Sequence, residues 1–261
     1  MTITYVTVTY NAANVLQRTL DSVLSQDYPD ITHLIIDGAS TDGTLQMVDD
    51  YIKRSNEAEN GHLIQVMSEP DHGIYDAMNK GIRSLDGDYV CFLNAGDFLP
   101  SPDTVSRIAD SISHNGDSPL CEKPAVLYGD TDIVDGEGRF LRHRRLAPPE
   151  NLTWKSFRQG MLVCHQAFYA RTDFAIATPY DLRFRYSADV DWCIRIMKAA
   201  AKERVPLQNL HMVVANYTEE GQTTLHHRES LKERYQVMVR HYGHVSTFLM
   251  HCWFVVRALF K

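Results

Sequence analysis

The sequence predicts an α/β fold with a mostly parallel central sheet flanked by helices. Three observations support this. The first 100 residues alternate short β-branched runs with segments whose apolar residues recur at helical spacing. The connections between them are short, as in βαβ units. Residues 89–93 form an apolar run bounded by turn residues, which is typical of a strand buried on both faces.

The first half of the chain contains four predicted strands and four predicted helices. The strands are expected at residues 3–9, 33–36, 63–67 and 89–93. The first helix is expected after Asn11 as its N-cap, the second after the Ser40-Thr41-Asp42 run and the third over residues 73–85. Ser101-Pro102 predicts the fourth, with proline at its first position.

The pattern changes after residue 115. A loop is predicted at 115–124, strands at 125–134, 138–146, 163–169 and 211–217, and helices at 187–201 and 227–242. No repeat or low-complexity linker divides the chain. The sequence therefore predicts one domain over residues 1–225 with two halves, 1–115 and 116–225, and a helical tail over 226–261.

Charge and cysteine content limit the functional classes. The chain carries a net charge of −7, but residues 226–261 hold six Lys and Arg against two Glu, which leaves −11 on the rest. Such an acidic body argues against a nucleic-acid partner. The five cysteines are scattered without a C-x-x-C pair, which favours a reducing compartment and predicts no zinc site. The chain opens directly on a strand pattern, so no secretory signal and a cytoplasmic location are expected.

The C-terminal tail is apolar and aromatic as well as basic. No run of about 20 apolar residues exists, so no ordinary membrane span is expected. An interfacial helix on the inner face of an anionic membrane fits residues 245–260. A helix packed on the body, or on another subunit of an oligomer, fits them equally well.

Polar residues follow three of the predicted strands, at residues 9–11, 37–44 and 94–97. The carboxyl ends of parallel strands meet at one edge of an open sheet, where ligands bind. Asp97 stands there beside Gly96, and a single carboxylate of this kind suits Mg²⁺ or Mn²⁺ bridging two phosphates. A turn aspartate that caps the next helix is the alternative. The G-x-G-x-x-G and G-x-x-x-x-G-K-[ST] motifs are absent, which argues against dinucleotide dehydrogenases and P-loop proteins.

Four ordered motifs give the chain a family resemblance. They are VTVTYN at 6–11, IIDGASTDGT at 35–44, SEPDHGIYDAMNKGI at 68–82 and FLNAGD at 92–97. Together they resemble the family 2 glycosyltransferases with the GT-A fold, and most closely the bacterial exopolysaccharide group with its colanic-acid-type transferases. The resemblance continues through His165-Gln166-Ala167 and Tyr186-Ser187-Ala188-Asp189 to about Thr224.

The resemblance implies inverting transfer of a sugar from a nucleotide-sugar, most often a UDP-sugar, to a glycan or lipid-linked acceptor in surface polysaccharide synthesis. Residues 1–115 would bind the nucleotide and 116–225 the acceptor. By position, the residues implied to bind the nucleotide-sugar are Thr9, Asn11, Asp37, Asp71, Asn79, Asn94 and His165, although a structural role for His165 fits equally well. Asp97 would bind Mn²⁺ or Mg²⁺, and Gly96 stands where many relatives carry a further acid.

The resemblance also implies a general base, Asp189, at the start of a late helix. Asp191 lies about 200° further around that helix, so the two carboxylates cannot point the same way. Asp189 could instead be a helix N-terminal acid favoured by the helix dipole. The missing acid beside Asp97 keeps a second class open, a non-catalytic nucleotide-sugar or glycan-binding module on the same fold. A nucleotide-cofactor oxidoreductase is disfavoured by the missing glycine motif.

Overall fold

The computed structural model of the protein describes residues 1–115, 123–219 and 227–259. The strands are β1 (Ile3–Thr9), β2 (Ile31–Asp37), β3 (Leu63–Ser68), β4 (Tyr89–Phe92), β5 (Val126–Val134), β6 (Phe140–His143), β7 (Phe168–Arg171) and β8 (Leu207–Thr218). The helices are α1 (Leu16–Leu24), α2 (Thr44–Ala58), α3 (Ile74–Arg83), α4 (Thr104–Asn115), α5 (Thr172–Ala177), α6 (Ala188–Glu203), α7 (His227–Tyr242) and α8 (His244–Leu259). Two 3₁₀ turns lie at Ser156–Gln159 and His165–Ala167.

These strands form one sheet in the order β3-β2-β1-β4-β7-β5-β6, with β8 beside β5. Strands β1 to β4 pair in parallel, whereas β7 runs antiparallel between β4 and β5. The predicted α/β class is confirmed, and the larger parallel part of the sheet, β1 to β4, lies in the first half of the chain, while β5 and β8 of the second half also pair in parallel. Because β7 comes from the second half, both predicted halves share the same sheet.

The register of the parallel strands places their carboxyl ends at one edge. Thr9 of β1 aligns with Asp37 of β2, and Asp37 aligns with Ser68 of β3. All residues of β1, β2 and β4 are buried, which accounts for their many apolar and β-branched residues. Thr9 and Asp37, the last residues of β1 and β2, lie at the sheet edge where the chain leaves the core. The polar residues inside the strands, Thr4, Thr7, Thr32 and His33, are buried.

Two local predictions are wrong. Asn11 is not the N-cap of α1, which begins at Leu16; Asn11 has a φ of 48° and its side-chain oxygen accepts a hydrogen bond from the Thr41 amide. The strand predicted at 163–169 is a 3₁₀ turn followed by β7, because only residues 168–171 reach the backbones of β4 and β5. The predicted loop at 115–124 and the end of the resemblance at Thr224 fall largely outside the described residues.

Within the described part of the chain, no helix combines the length and apolarity that crossing a membrane requires.

Candidate active site

Asp37 is the buried centre of the sheet edge. Its Oδ1 accepts hydrogen bonds from the hydroxyls of Thr9 (3.0 Å) and Ser40, and its Oδ2 accepts from the Ser40 amide (2.9 Å) and the Ser68 hydroxyl (2.7 Å). Burial alone would raise the pKa of this carboxyl, but the hydrogen bonds from Ser40, Ser68 and Thr9 outweigh it and hold the pKa below its usual value. Asp37 thus ties together the ends of β1, β2 and β3, and its side chain faces inward.

The acid that faces outward at this edge is Asp71. Its carboxylate lies directly over Gly38, where an added Cβ would meet Asp71 Oδ2 at 2.4 Å, and its Oδ1 accepts from the Gly73 amide at 2.8 Å. The absence of a side chain at Gly38 is what admits Asp71. Asn11 is exposed on the same edge and joins the loop after β1 to Thr41 after β2. Of the predicted nucleoside residues, Asp71 and Asn11 are the ones that a ligand can reach without displacing a buried hydrogen bond.

A second polar cluster lies after β4 and contains three residues named from sequence. Asn94 Nδ2 donates to His165 Nε2 at 3.0 Å, and His165 Nδ1 lies 3.5 Å from Asp189 Oδ2. With Nε2 accepting from Asn94, the ring proton sits on Nδ1 and points at Asp189. The hydroxyl of Tyr75 donates to the other oxygen, Asp189 Oδ1, at 3.1 Å. Asp189 is therefore held from both sides.

Asp189 is 15% exposed at the N-terminus of α6. Although burial raises its pKa, the hydrogen bond from His165 and the charge of Arg234 more than offset this and lower it. The carboxylate is thus ionised at neutral pH and able to accept a proton. Asp191 points elsewhere, as predicted. It is fully buried, accepts from Arg195 and lies 2.8 Å from His241 Nε2.

Arg234 of α7 is a basic residue of this site that the sequence did not reveal. The preceding Glu233 accepts hydrogen bonds from the amides of Arg185, Tyr186 and Ser187, which fixes α7 against the start of α6. This contact brings the positive charge of Arg234 close enough to act on Asp189. Among the described residues, the buried Nε of Arg234 has no hydrogen-bond partner. A buried guanidinium donor without a partner is one that an anionic ligand can satisfy.

Asn79 is a correction to the predicted nucleotide-binding set. It is buried, its Nδ2 donates to the Tyr180 carbonyl at 3.0 Å, and its Oδ1 accepts from the Tyr180 amide at 2.7 Å. Both functions of the amide are occupied by one backbone residue, so Asn79 fixes α3 to the segment before α6. Tyr180 in turn stacks on Tyr75 and on Trp192, with ring centroids 5.4 and 4.9 Å apart. Asn79 therefore supports Tyr75 and does not face a ligand.

Asp97 is a second correction. It is 4% exposed, its Oδ2 accepts from Gln166 Nε2 at 2.7 Å, and its Oδ1 accepts from the Thr218 amide at 3.1 Å. These contacts join the segment after β4 to the 3₁₀ turn His165–Ala167 and to the end of β8. A metal ion bridging the donor phosphates would need an accessible carboxylate here. The structure therefore does not present Asp97 to the expected Mn²⁺ or Mg²⁺ ion.

Burial raises the pKa of Asp97 from its ordinary 3.8 to about 6. The folded state therefore binds the proton more tightly than the unfolded state, and this contribution to stability is present below pH 4 and lost as pH rises towards 6. Raising the pKa of Asp97 from 3.8 to about 6 corresponds to about 3 kcal/mol in the free energy of unfolding.

We expect Asp97→Asn to remove this pH dependence, because an amide does not titrate and the Gln166 amide can turn to match it. Urea unfolding of both proteins at pH 4 and pH 7 measures it: the variant should gain stability relative to the wild type by about 3 kcal/mol on going to pH 7. A difference between the two proteins that stays constant over this range contradicts the assignment.

Three site residues besides Arg234 received no role from the sequence. They are Tyr75, Gln166 and Thr218, which contact Asp189 or Asp97. Tyr75 and Gln166 lie inside motifs quoted above, so their positions in the sequence pointed to the site. Thr218 and Arg234 gave none, because only the docking of β8 and α7 brings them to the site.

The sequence profile of one family, described as Glycosyl transferase family 2, matches residues 4–176. The chain belongs to glycosyl transferase family 2. A PGL/p-HBAD biosynthesis glycosyltransferase of Mycobacterium bovis (strain BCG / Pasteur 1173P2) is 34% identical over 227 residues, which cover 86% of this chain and 80% of that relative. The amylovoran biosynthesis glycosyltransferase AmsB of Erwinia amylovora is 28% identical over 215 residues, 78% of this chain and 67% of AmsB. The family 2 chain is thus a glycosyltransferase with relatives in polysaccharide synthesis.

Solved structures of glycosyltransferases share the fold of this family 2 chain. S. aureus TarS 1-349 in complex with UDP-GlcNAc superposes with a TM-score of 0.68 at 17% identity, covering 91% of this chain and 64% of that structure. The mannosyltransferase PcManGT from Pyrobaculum calidifontis, solved with GDP-Man and Mn²⁺, gives 0.57 at 18% identity, covering 92% and 63%. The GT-A fold expected from the motifs is confirmed. The chain spans less than two thirds of each of these structures.

Proposed function

We propose that the protein transfers a sugar from a nucleotide-sugar to an acceptor hydroxyl with inversion, using Asp189 as the general base. The observation that carries this proposal is the position of Asp189, ionised, partly exposed and held by Tyr75 at 3.1 Å and His165 at 3.5 Å. In single displacement the acceptor oxygen attacks the anomeric carbon while one base removes its proton. A carboxylate fixed from both sides and open on its remaining edge suits that task.

The proposed donor is a UDP-sugar. TarS was solved with UDP-GlcNAc and PcManGT with GDP-Man, which supports a nucleoside diphosphate sugar as the donor class. The nucleoside would lie against Asp71 and Asn11 at the sheet edge, above the buried Asp37 and Thr9. The sugar would then point along the edge towards Asn94 and Asp189.

Arg234 is the proposed partner of the donor diphosphate. The leaving group gains negative charge as the glycosidic bond breaks, and a guanidinium stabilises it by charge-assisted hydrogen bonds. A divalent ion supplies the same kind of stabilisation in other transferases. Since Asp97 does not present a ligand, Arg234 is the protein's own cation for this role.

The proposed acceptor is a glycan or lipid-linked glycan of a bacterial surface polysaccharide. The relatives named for amylovoran and for PGL/p-HBAD biosynthesis support this class. We propose that the enzyme meets this acceptor in the cytoplasm, at the inner face of the membrane.

A nucleotide-sugar panel tests the proposal most directly. Thermal stabilisation by UDP-sugars and GDP-sugars, with and without Mn²⁺, identifies the donor, and release of nucleotide from the best donor demonstrates turnover. A protein that is stabilised by a donor but releases no nucleotide with any acceptor is the binding module of the alternative interpretation.

We expect Asp71→Asn to weaken UDP and UMP binding by about the same factor, roughly tenfold for one lost charge-assisted hydrogen bond. The reason is that Asp71 faces the nucleoside and not the diphosphate. Isothermal titration with both nucleotides, with Asp76→Asn of α3 as the matched acid control, measures it. A loss confined to UDP would move Asp71 to the phosphates.

A further inference from the structure

Helix α8 presents an apolar face to solvent. Its exposed large hydrophobic residues are 40–75% accessible and recur at i, i+3, i+4, i+8 and i+11: Val245, Phe248, Leu249, Trp253 and Val256. This spacing places them on one side of the helix, which we call the α8 stripe. The opposite side of the helix packs against the body. Thr247 is fully buried there, and the ring centroids of His251 and of Tyr235 in α7 are 4.9 Å apart. The stripe therefore points away from the body.

A cavity of about 540 Å³ opens beside this stripe, between α8 and the 3₁₀ turn Ser156–Gln159. Met250, Trp253 and Phe254 form one wall, and Lys155 and Arg158 contribute to the other. Trp253 belongs to both the cavity and the stripe. The cavity thus joins an apolar surface to two cationic side chains.

Arg158 is oriented for an anion. Its guanidinium carbon lies 5.5 Å from the ring centroid of Tyr242, which holds the side chain in place. Its Nε is buried and, within the described part of the chain, has no hydrogen-bond partner. Lys155 adds a second, exposed cation at the same wall. A pre-positioned donor without an acceptor indicates an anionic ligand at this cavity.

We propose that this cavity binds the phosphate of an anionic membrane lipid while the α8 stripe enters the acyl boundary. Interfacial helices insert an apolar face and pair basic residues with anionic headgroups, with tryptophan at the level between them. The same order occurs here: the apolar α8 stripe comes first, Trp253 lies at its border with the cavity, and Lys155 and Arg158 line the cavity beyond it. A second copy of the chain matches it less well, because the stripe carries no acid to meet Lys155 and Arg158. The site is separate from the proposed donor site and shares no residue with it.

Flotation of the full-length protein with vesicles tests the proposal, using phosphatidylcholine alone or mixed with phosphatidylglycerol. We expect binding to the anionic vesicles only. Lys155→Gln with Arg158→Gln should lower partitioning by about 30-fold, from the loss of two surface cations. Phe248→Ser with Trp253→Ser should abolish it, whereas Arg107→Gln on α4 serves as the matched charge control and should leave it unchanged.

Two additional variants keep the outcome interpretable. Lys155→Gln alone changes an exposed side chain and should give a partial loss without affecting folding. Arg158→Lys retains the charge and should retain most of the binding. Wild-type protein that does not float with anionic vesicles overturns the proposal, as does a double glutamine variant that floats normally. So does a dimer that the Phe248→Ser, Trp253→Ser variant dissociates, since the stripe would then be a subunit interface. Donor turnover in solution should be equal in all these variants.

Discussion

Asp189→Asn should lower sugar transfer by about 100-fold or more while donor affinity stays near the wild-type value. Asparagine keeps the shape of the side chain, and its oxygen still accepts from the Tyr75 hydroxyl, which lies 3.1 Å from the carboxylate. What it loses is the capacity to take the proton of the acceptor hydroxyl. Steady-state transfer rates, with donor affinity measured separately by calorimetry, give the result.

Asp191→Asn is the matched control on the same helix. Asp191 is fully buried and contacts Arg195, Arg240 and His241, so its neutralisation leaves the two guanidinium groups without this anionic partner. We expect that variant to lose stability, with transfer per folded molecule nearly unchanged. A larger catalytic loss for Asp191→Asn would exchange the two roles. Normal rates in both variants would remove α6 from the chemistry and favour the binding-module interpretation.

The sequence predicts the parallel part of the fold well because that part depends on local patterns. Strands β1, β2 and β4 are short runs of mostly apolar and β-branched residues, and each is followed by polar residues where the chain leaves the sheet. The register then makes the contact between Thr9 and Asp37 unavoidable, since the two residues are aligned on neighbouring strands. Local pattern and strand order thus account for the nucleoside edge.

Whether an acid at that edge is free or buried could not be predicted. Asp97 looks open in the sequence, but residues from the 3₁₀ turn and the end of β8 cover it, 69 and 121 positions further along the chain. Asn79 is likewise covered by a distant segment, because its partner Tyr180 is 101 residues away. In each case the covering segment is positioned by tertiary packing and not by any spacing near the acid or amide. A motif therefore locates such a residue without telling whether its polar atoms are already occupied.

Arg234 shows the reverse situation, a residue without a motif that reaches the site. Glu233 fixes α7 to the amides of residues 185–187, and this contact places the next residue beside α6. On the helix itself Arg234 is one of several basic residues, together with Lys232 and Arg240. Among the described residues of α7, Arg234 is distinguished by its buried Nε, which has no hydrogen-bond partner.

Arg234→Gln should therefore weaken UDP binding by about 10- to 100-fold, the range for a lost charge-assisted hydrogen bond to phosphate, and leave uridine binding unchanged. Transfer should fall at least as far, because the charge on the diphosphate grows as the sugar departs. Lys232→Gln, an exposed neighbour on the same helix, is the control and should have no effect. Arg234→Lys should restore part of the affinity, since the charge returns without the forked geometry.

The comparison of UDP, UMP and uridine, each with and without Mn²⁺, separates the possible outcomes. A loss that grows from uridine to UMP to UDP places Arg234 on the phosphates. An equal loss for all three would mean that Arg234 only shapes the pocket by holding α7, and unchanged UDP affinity would remove it from the site. If Mn²⁺ restores full affinity to Arg234→Gln, the ion and the guanidinium neutralise the same charge.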